Sequence, residues 1–301
     1  MGWPKLKKSK SKSKSKSNPS PGPAEAAAAD FNPDDVAQGL TEYYQLLARA
    51  AYLPPESIEY PPPGGWTDED LAIEAIRDVG FPERAIQLIR KLPFVAGCDH
   101  EVIPGVKFLD YRRDSPDNPE TWKADIDQYD YAPPKPDPRI PTSMVPLGQG
   151  DAAAEPWMVN TLAGTMFTLS ASFEVDDAPE DKAWLSYTQH PIKDFFEAAK
   201  KDILTLQWLP IPRGSGQWYP EILAYKDKRT RGCKRIYLEH GWPEANFRRE
   251  ECMTALMEFL EMERDDLSAS TEGVSIEEGE WEDDDDDDSN NNSDDGKNKE
   301  R

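Results

Sequence analysis

The sequence has few of the residues from which covalent or metal-based frameworks are built. It contains three cysteines and three histidines among 301 residues. Three cysteines cannot form a fully paired disulfide framework, so we expect reduced thiols in an intracellular protein. No segment approaches the roughly 18 uninterrupted apolar residues of a membrane span, and no apolar region follows the lysine-rich start to complete a secretory signal. We therefore expect the protein in the cytoplasm, with the nucleus as an alternative.

Sequence patterns that specify catalysis or cofactor binding are also missing. Cys98 and His100 are the only thiol and imidazole close together, whereas a zinc site needs about four ligands at suitable spacing. The glycine-containing stretches 148–151 and 213–216 do not continue into a phosphate-binding sequence. The sequence therefore predicts no catalytic residue, no cofactor and no metal. It favours a non-enzyme without excluding an enzyme.

Charge, in contrast, is abundant and unevenly distributed. The formal net charge is -23; residues 1–17 carry seven lysines and no acidic residue, and residues 265–301 carry 16 acidic residues against three basic ones. The middle of the chain therefore has a net charge of -17. Nucleic acids and anionic membranes are polyanions, so we expect neither as a ligand of the folded domain.

Composition divides the chain into three parts. Residues 1–30 form a Lys/Ser-rich arm that we expect to be disordered, because it has almost nothing apolar to bury. Residues 31–264 are predicted to form a single domain with a proline-rich excursion at 112–141, and residues 265–301 a disordered acidic tail. The arm favours solubilisation, with nuclear import or polyanion binding as an alternative. The tail likewise favours solubility, with binding of basic proteins such as histones as an alternative.

Apolar spacing predicts an α+β fold for the middle part. Helical spacing comes first, alternating spacing follows, and helical spacing returns, which favours a central antiparallel sheet of about four to six strands between groups of helices. The predicted helices are 33–51, 67–79, 82–91, 190–209, 233–240 and 245–264, and the predicted strands are 102–111, 144–147, 157–162, 165–175 and 183–188.

The helix within residues 190–212 has the clearest apolar stripe and is predicted to organise the domain. His190 is expected to cap its start, and Pro210 and Pro212 prevent its continuation. Phe195, Phe196 and Ile203 are expected to pack against strand 165–175, with the three amino-terminal helices elsewhere around the sheet. That strand alternates apolar and polar residues, so one of its faces is predicted to be wet.

Aromatic residues supply the candidate binding surface. Tryptophan and tyrosine are favoured as anchors of protein interfaces. We predict a partner-binding surface formed by Trp157, Trp184, Tyr187 and Trp218. If the protein is instead an enzyme with a scattered site, the same region is its expected pocket.

The segment EAIRDVGFPERAIQLIRKLPFVAG (74–97), with the later WLSYTQHPIKDFF, loosely resembles the SUKH superfamily. That superfamily includes fungal cell-wall-synthesis regulators and bacterial immunity proteins, which share an α+β fold that binds other proteins. Gly80-Phe81-Pro82 stands at the family's Gly-x-x-Leu-Pro entry, Gly97 at its turn, and Asp194-Phe195-Phe196 in its last helix. Phe81 replaces the family's leucine, and the proline-rich excursion is a second departure. The resemblance covers about residues 67–209 and implies no catalytic residue; GWTDEDL and EHGWP also resemble lineage-restricted fungal proteins.

Three functions follow from these observations. The preferred one is a non-enzymatic intracellular protein-interaction or regulatory module. The alternatives are an enzyme with a scattered site and a histone-binding or chromatin role carried by the acidic tail. The first and third functions imply protein partners, which the sequence does not identify, with basic proteins as an expectation for the acidic tail; the enzyme alternative implies a metabolite substrate.

Overall fold

The structure is a computed structural model that describes residues 31–96, 100–114, 141–150, 154–169, 187–213, 221–224 and 228–272, with side chains described up to 265. The predicted disordered arm, nearly all of the proline-rich excursion, residues 183–186 of the strand predicted at 183–188 and most of the acidic tail lie outside these residues; residues 187 and 188 are described and are not part of a strand. The chain divides into two compact units, residues 1–260 and residues 261–301. In the second unit the structure describes residues 261–272, which are helical.

The described residues form six α-helices and one short 3-10 helix at Pro55–Ser57. The α-helices are α1 (Pro33–Arg49), α2 (Ile73–Asp78), α3 (Glu83–Ile89), α4 (Ile192–Leu204), α5 (Lys228–Glu239) and α6 (Arg249–Glu272). All six predicted helices are present with shifted ends. The largest shift is at the end of α6, which was predicted at 264 and lies at Glu272. The same helix begins four residues later than predicted.

α1 forms for the reasons that its sequence indicates. The Asn32 side chain accepts a hydrogen bond from the Asp34 amide at 3.1 Å, and Pro33 occupies the first helical position. Buried residues then recur at helical spacing, among them Leu40 and Leu47. The helix predicted at 33–51 is therefore confirmed, with its end at Arg49.

The helix predicted from residue 67 begins later, although Thr67 and Asp70 form a capping arrangement. The Thr67 amide donates to Asp70 Oδ2 at 2.7 Å. The chain then turns, Leu71 pairs with Arg112, and α2 starts only at Ile73. Thr67 and Asp70 therefore stabilise the turn before the helix.

The strands confirm the antiparallel α+β class. They are β1 (Ile58–Glu59), β2 (Phe94–Val95), β3 (Glu101–Ile103), β4 (Val106–Phe108), β5 (Met144–Pro146), β6 (Gly148–Gly150), β7 (Trp157–Asn160), β8 (Thr165–Thr168), β9 (His190–Pro191), β10 (Leu209–Pro210) and β11 (Ile222–Leu223). They pair as β1-β2, β10-β11, β3-β4-β6 and β5-β7-β8-β9, all antiparallel. The strands are thus divided among small sheets, of which the largest has four strands.

Two strand predictions differ from the structure. The single strand predicted at 102–111 is the β3–β4 hairpin, which turns at Gly105 with a φ of 69°. Residues 148–150, where the sequence analysis predicted no strand, form β6. A Cβ on Gly148 would lie 2.5 Å from Val106 Cγ1, so this strand pairs closely because it has no side chain there.

The expectation of a wet face on strand 165–175 is wrong for its described part. Met166 and Phe167 are adjacent in β8 and both have no exposed surface. Met166 belongs to the main apolar core. Phe167 belongs to a second apolar cluster with Met144, Met158 and Leu169. β5, β7 and the middle of β8 are therefore buried on both faces, whereas β9 at the edge of this sheet is exposed.

The predicted contact of α4 with strand 165–175 is present, but the expectation that the amino-terminal helices lie elsewhere around the sheet is wrong for α1. α4 packs mainly against α1 and to a smaller extent against β8. Phe196 is 2% exposed, whereas Phe195 is only partly buried. An amino-terminal helix is thus the principal neighbour of α4, and the strand is a secondary one.

Candidate functional site

An open cleft of about 170 Å³ lies beside α4, over the ends of β7, β8 and β9. We call it the α4 cleft. Six of the residues that line it carry aromatic or ionisable side chains, namely three aromatic residues, two carboxylates and one imidazole: Trp157, Phe195, Trp208, Asp194, Asp202 and His190. These residues come from separate parts of the chain, so the fold is needed to bring them together.

The floor of the α4 cleft is Trp157. Its side chain is 1% exposed, because β7 places it in the middle of an aromatic group. Ring centroids lie 5.1 Å away for Tyr43, 5.1 Å for Phe195, 5.5 Å for Phe108 and 5.8 Å for Phe196, with tilted or edge-to-face geometry. Close packing on so many sides holds the indole in one position.

Trp208 forms a wall because the chain folds back after α4. Leu206 has a positive φ of 54°, and the amides of Gln207 and Trp208 donate to the Asp202 carbonyl at 2.8 and 3.1 Å. The Trp208 ring then lies 6.4 Å from the Trp157 ring, centroid to centroid. Trp208 and Asp202 are therefore fixed relative to each other by backbone hydrogen bonds.

The two carboxylates lie on one face of α4. Asp194, Ala198 and Asp202 follow each other at four-residue spacing, and the small Ala198 side chain leaves room between the acids. Burial raises the pKa of Asp202, and the neighbouring Lys201 opposes this in part. No hydrogen bond or ion pair joins either carboxylate to another of the described residues. Asp202 is thus a partly buried acceptor without a donor from that part of the chain.

This combination of groups suits an organic cation. Aromatic faces attract a positive charge through the ring quadrupole, and the carboxylates add charge and hydrogen-bond acceptors. The described cation–π contacts of the protein involve Phe31, Trp66, Phe94 and Trp242, all outside the α4 cleft. Within the described ranges, the aromatic walls of the cleft therefore face no cation of the protein itself.

His190 lies at the rim and does not cap the helix as predicted. It pairs with Met166 in the β8–β9 ladder, and the residue before α4 is Pro191, which provides no side-chain cap. The His190 ring is exposed and lies 6.2 Å from the Phe195 ring. Its position makes it part of the cleft entrance.

The structure does not bring the predicted surface residues together. Trp157 is buried in the main core, whereas Tyr187 stacks on Phe167 at 5.5 Å on the opposite face of the sheet. Trp157 therefore contributes only to the cleft floor, and Tyr187 lies elsewhere. Trp184 and Trp218 lie outside the described residues.

Sequence reasoning missed five of these six lining residues as site residues: His190, Asp194, Phe195, Asp202 and Trp208. It assigned Phe195 to the core and found no site on the polar face of the helix. One signal was present, because two acids flank an alanine at four-residue spacing. Among 58 acidic residues that spacing carries little information without the fold.

A second polar cluster surrounds Glu221, which is 5% exposed. Its Oε2 accepts from the Tyr52 hydroxyl, lies 3.3 Å from His100 Nδ1 and accepts from the Glu101 amide at 3.2 Å, while Oε1 accepts from Arg213 Nε. Both oxygens already have donors from the protein. This cluster therefore joins distant segments of the chain and offers no obvious place for a ligand.

Other chemistry is not indicated by the described residues. No group of three or more His, Cys, Asp or Glu is placed there to hold a metal ion. Burial raises the pKa of Cys252 to about 12, so its thiol stays protonated at neutral pH and is a poor nucleophile. In the same part of the chain, no helix combines the length and the apolar composition needed to cross a membrane.

Comparisons with known proteins add no family to this description. No protein-family model, no curated protein and no solved structure matches the chain. The resemblance to the SUKH superfamily thus stays a prediction.

Proposed function

We propose that the protein is a non-enzymatic interaction module that binds a positively charged side chain of a partner protein in the α4 cleft. One observation carries this proposal. The partly buried Asp202 carboxylate has no donor among the described residues and lies in a cleft that has Trp157 as its floor and is also lined by Phe195 and Trp208.

The energetics favour a cation with an apolar stem. A carboxylate that has lost part of its water is stabilised most by a charged donor. A cation over a partly desolvated aromatic ring adds about 0.5–2 kcal/mol. A lysine side chain suits both kinds of group in the cleft. Its ammonium can reach the acid at the edge of the rings, and its methylene groups can lie on the ring faces.

Two features of the sequence support the same class of function. The middle of the chain has a net charge of -17, which attracts basic surfaces over distance. The resemblance of residues 67–209 to the SUKH superfamily also favours protein binding. The acidic residues of 265–301 add to this attraction, and a role for that tail in binding basic proteins remains a separate prediction.

The proposal is tested with a synthetic peptide that carries one lysine between glycine and serine residues. The full-length protein is titrated with the peptide to millimolar concentration, and amide NMR shifts are followed. We expect saturable shifts around α4 and residue 208. Trp208→Ala should weaken binding about tenfold, because a lost cation–π contact of about 1.4 kcal/mol corresponds to that factor.

Matched variants separate the cleft from general attraction. Asp202→Asn and Glu197→Gln each remove one negative charge from α4, but Glu197 pairs with Lys200 at 2.8 Å and does not line the cleft. Asp202→Asn should weaken binding and Glu197→Gln should not. Equal effects of the two variants, or equal binding of a peptide with norleucine in place of lysine, would refute the proposal.

A further inference from the structure

We infer that the α4 cleft prefers a lysine whose amine carries one or two methyl groups over both the unmodified and the trimethylated forms. The inference rests on the proposed function and names the ligand of the same cleft. It follows from the juxtaposition of one partly buried acceptor, Asp202, with three aromatic side chains.

The aromatic walls favour methylation. Methylation keeps the positive charge of lysine but adds apolar surface and lowers the hydration of the amine. Phe195 and Trp208 are partly buried and present apolar surface to the cleft above the buried Trp157, and Ala198 and Ala199 leave open space beside them. A methylated amine therefore gains more from this lining than an ammonium group, which keeps its attraction for water.

The acid limits the number of methyl groups. Asp202 is partly buried and has no donor among the side chains described, so a ligand that provides an N–H satisfies it. Monomethyl- and dimethyl-lysine retain at least one N–H, whereas trimethyl-lysine has none. The trimethylated form would contact the rings but leave the carboxylate without a hydrogen bond.

The aromatic residue Trp208 and the acceptor Asp202 lie close together because a backbone hydrogen bond joins the two residues. The Trp208 amide donates to the Asp202 carbonyl at 3.1 Å, so the ring wall and the acceptor belong to the same turn. Both side chains line the cleft, so an amine that reaches the Asp202 carboxylate lies in the same cleft as the Trp208 ring. A volume of about 170 Å³ leaves space for the added methyl groups.

The test compares four peptides of one sequence, in which the single lysine is unmodified, monomethylated, dimethylated or trimethylated. All four carry the same charge, so attraction to the acidic tail of the full-length protein contributes equally to each. Affinities are measured by NMR titration. We expect the dimethyl peptide to bind about tenfold more tightly than the unmodified and the trimethyl peptides, with the monomethyl peptide between these limits.

Asp202→Asn provides the second arm of the test. This variant should remove the preference for dimethyl over trimethyl, while Glu197→Gln should preserve it; thermal melts establish that both are folded. Equal affinities for all four peptides would overturn the inference and leave the proposed function in place. Tightest binding of the trimethyl peptide would overturn the role of Asp202. If none of the four peptides binds the wild-type protein, both the inference and the proposed function are overturned. This outcome is read from the wild-type protein and does not depend on the variants.

Discussion

A Cβ atom built on Gly39 of α1 would lie 2.2 Å from Cδ2 of Phe196 in α4. The Phe196 ring thus occupies the space that a side chain on α1 would need. The same ring lies 5.8 Å from the ring of Trp157, the floor of the α4 cleft. The shape of the cleft therefore depends on a glycine in a different helix.

Gly39→Ala should destabilise the domain. Alanine normally stabilises a helix interior by about 1 kcal/mol relative to glycine, but overpacking a tight contact costs about 1–3 kcal/mol. We expect the second effect to dominate and the urea midpoint to fall. Gln45→Ala, at an exposed position of α1, serves as the control. A higher midpoint for Gly39→Ala would show that Phe196 moves aside without cost.

The adjacent phenylalanines of α4 should respond differently to truncation. Phe196 is 2% exposed, so Phe196→Ala should cost about 3–5 kcal/mol and lower the melting temperature strongly. Phe195 is only partly buried at the cleft, so Phe195→Ala should cost less and mainly weaken lysine-peptide binding. Melting curves and NMR titrations of both variants check this. Equal losses of stability would contradict the difference in burial.

Local signals explain which parts of the fold were predictable. The Asn32 cap and the apolar spacing of α1 act within a few residues, and the structure confirms both. The contact of α1 with α4 depends on the packing of the Phe196 ring against Gly39. The apolar spacing within either helix does not indicate this contact. Likewise, alternation in β8 could not reveal a second apolar cluster over Phe167. Sequence periodicity predicted the elements, but their partners depend on packing between distant residues.

The site was less predictable than the fold. Aromatic content indicated Trp157, but only the register of β7 shows which face it occupies and how deeply it is buried. The cleft also needs the turn after α4, where Leu206 adopts a positive φ that a non-glycine residue seldom has. Asp202 and Trp208 become neighbours through that turn, so no spacing rule could pair them.

Arg112→Lys should destabilise the protein although it preserves charge. Arg112 donates from Nε to Asp110 Oδ1 at 2.9 Å and from Nη2 to Oδ2 at 2.6 Å, and its Cζ lies 5.4 Å from the Phe94 ring centroid. Lysine cannot reproduce the two-pronged contact or the stacking. We expect a loss of about 1–3 kcal/mol by urea unfolding. Arg77→Lys is the control, because Arg77 is exposed and pairs with Asp68 at 3.4 Å; equal effects would contradict the prediction.

The ionised Glu221 side chain should stabilise the folded protein at neutral pH, and this stabilisation should be lost in acid. Burial alone would raise its pKa, but hydrogen bonds from His100 and Tyr52 and the charge of Arg213 outweigh burial and lower the pKa from 4.5 to about 2. Because the folded state holds the proton less tightly than the unfolded state, the contribution is complete above pH 4.5 and is lost as the pH falls towards 2. A shift of this size corresponds to about 3 kcal/mol.

Glu221→Gln tests that contribution, because the amide has the same shape but does not titrate. We expect the variant to be less stable than the wild type at pH 7 and the difference between their free energies of unfolding to shrink steadily from pH 5 to pH 3. Urea unfolding at each pH measures the difference, which cancels the titration of carboxylates remote from Glu221; Glu101, whose pKa the charge of Glu221 helps to raise, also responds to the substitution. Glu69→Gln, which removes one exposed carboxylate, is the control. A difference between wild type and Glu221→Gln that stays constant down to pH 3 would show that the cluster of His100, Tyr52 and Arg213 does not hold Glu221 as an anion.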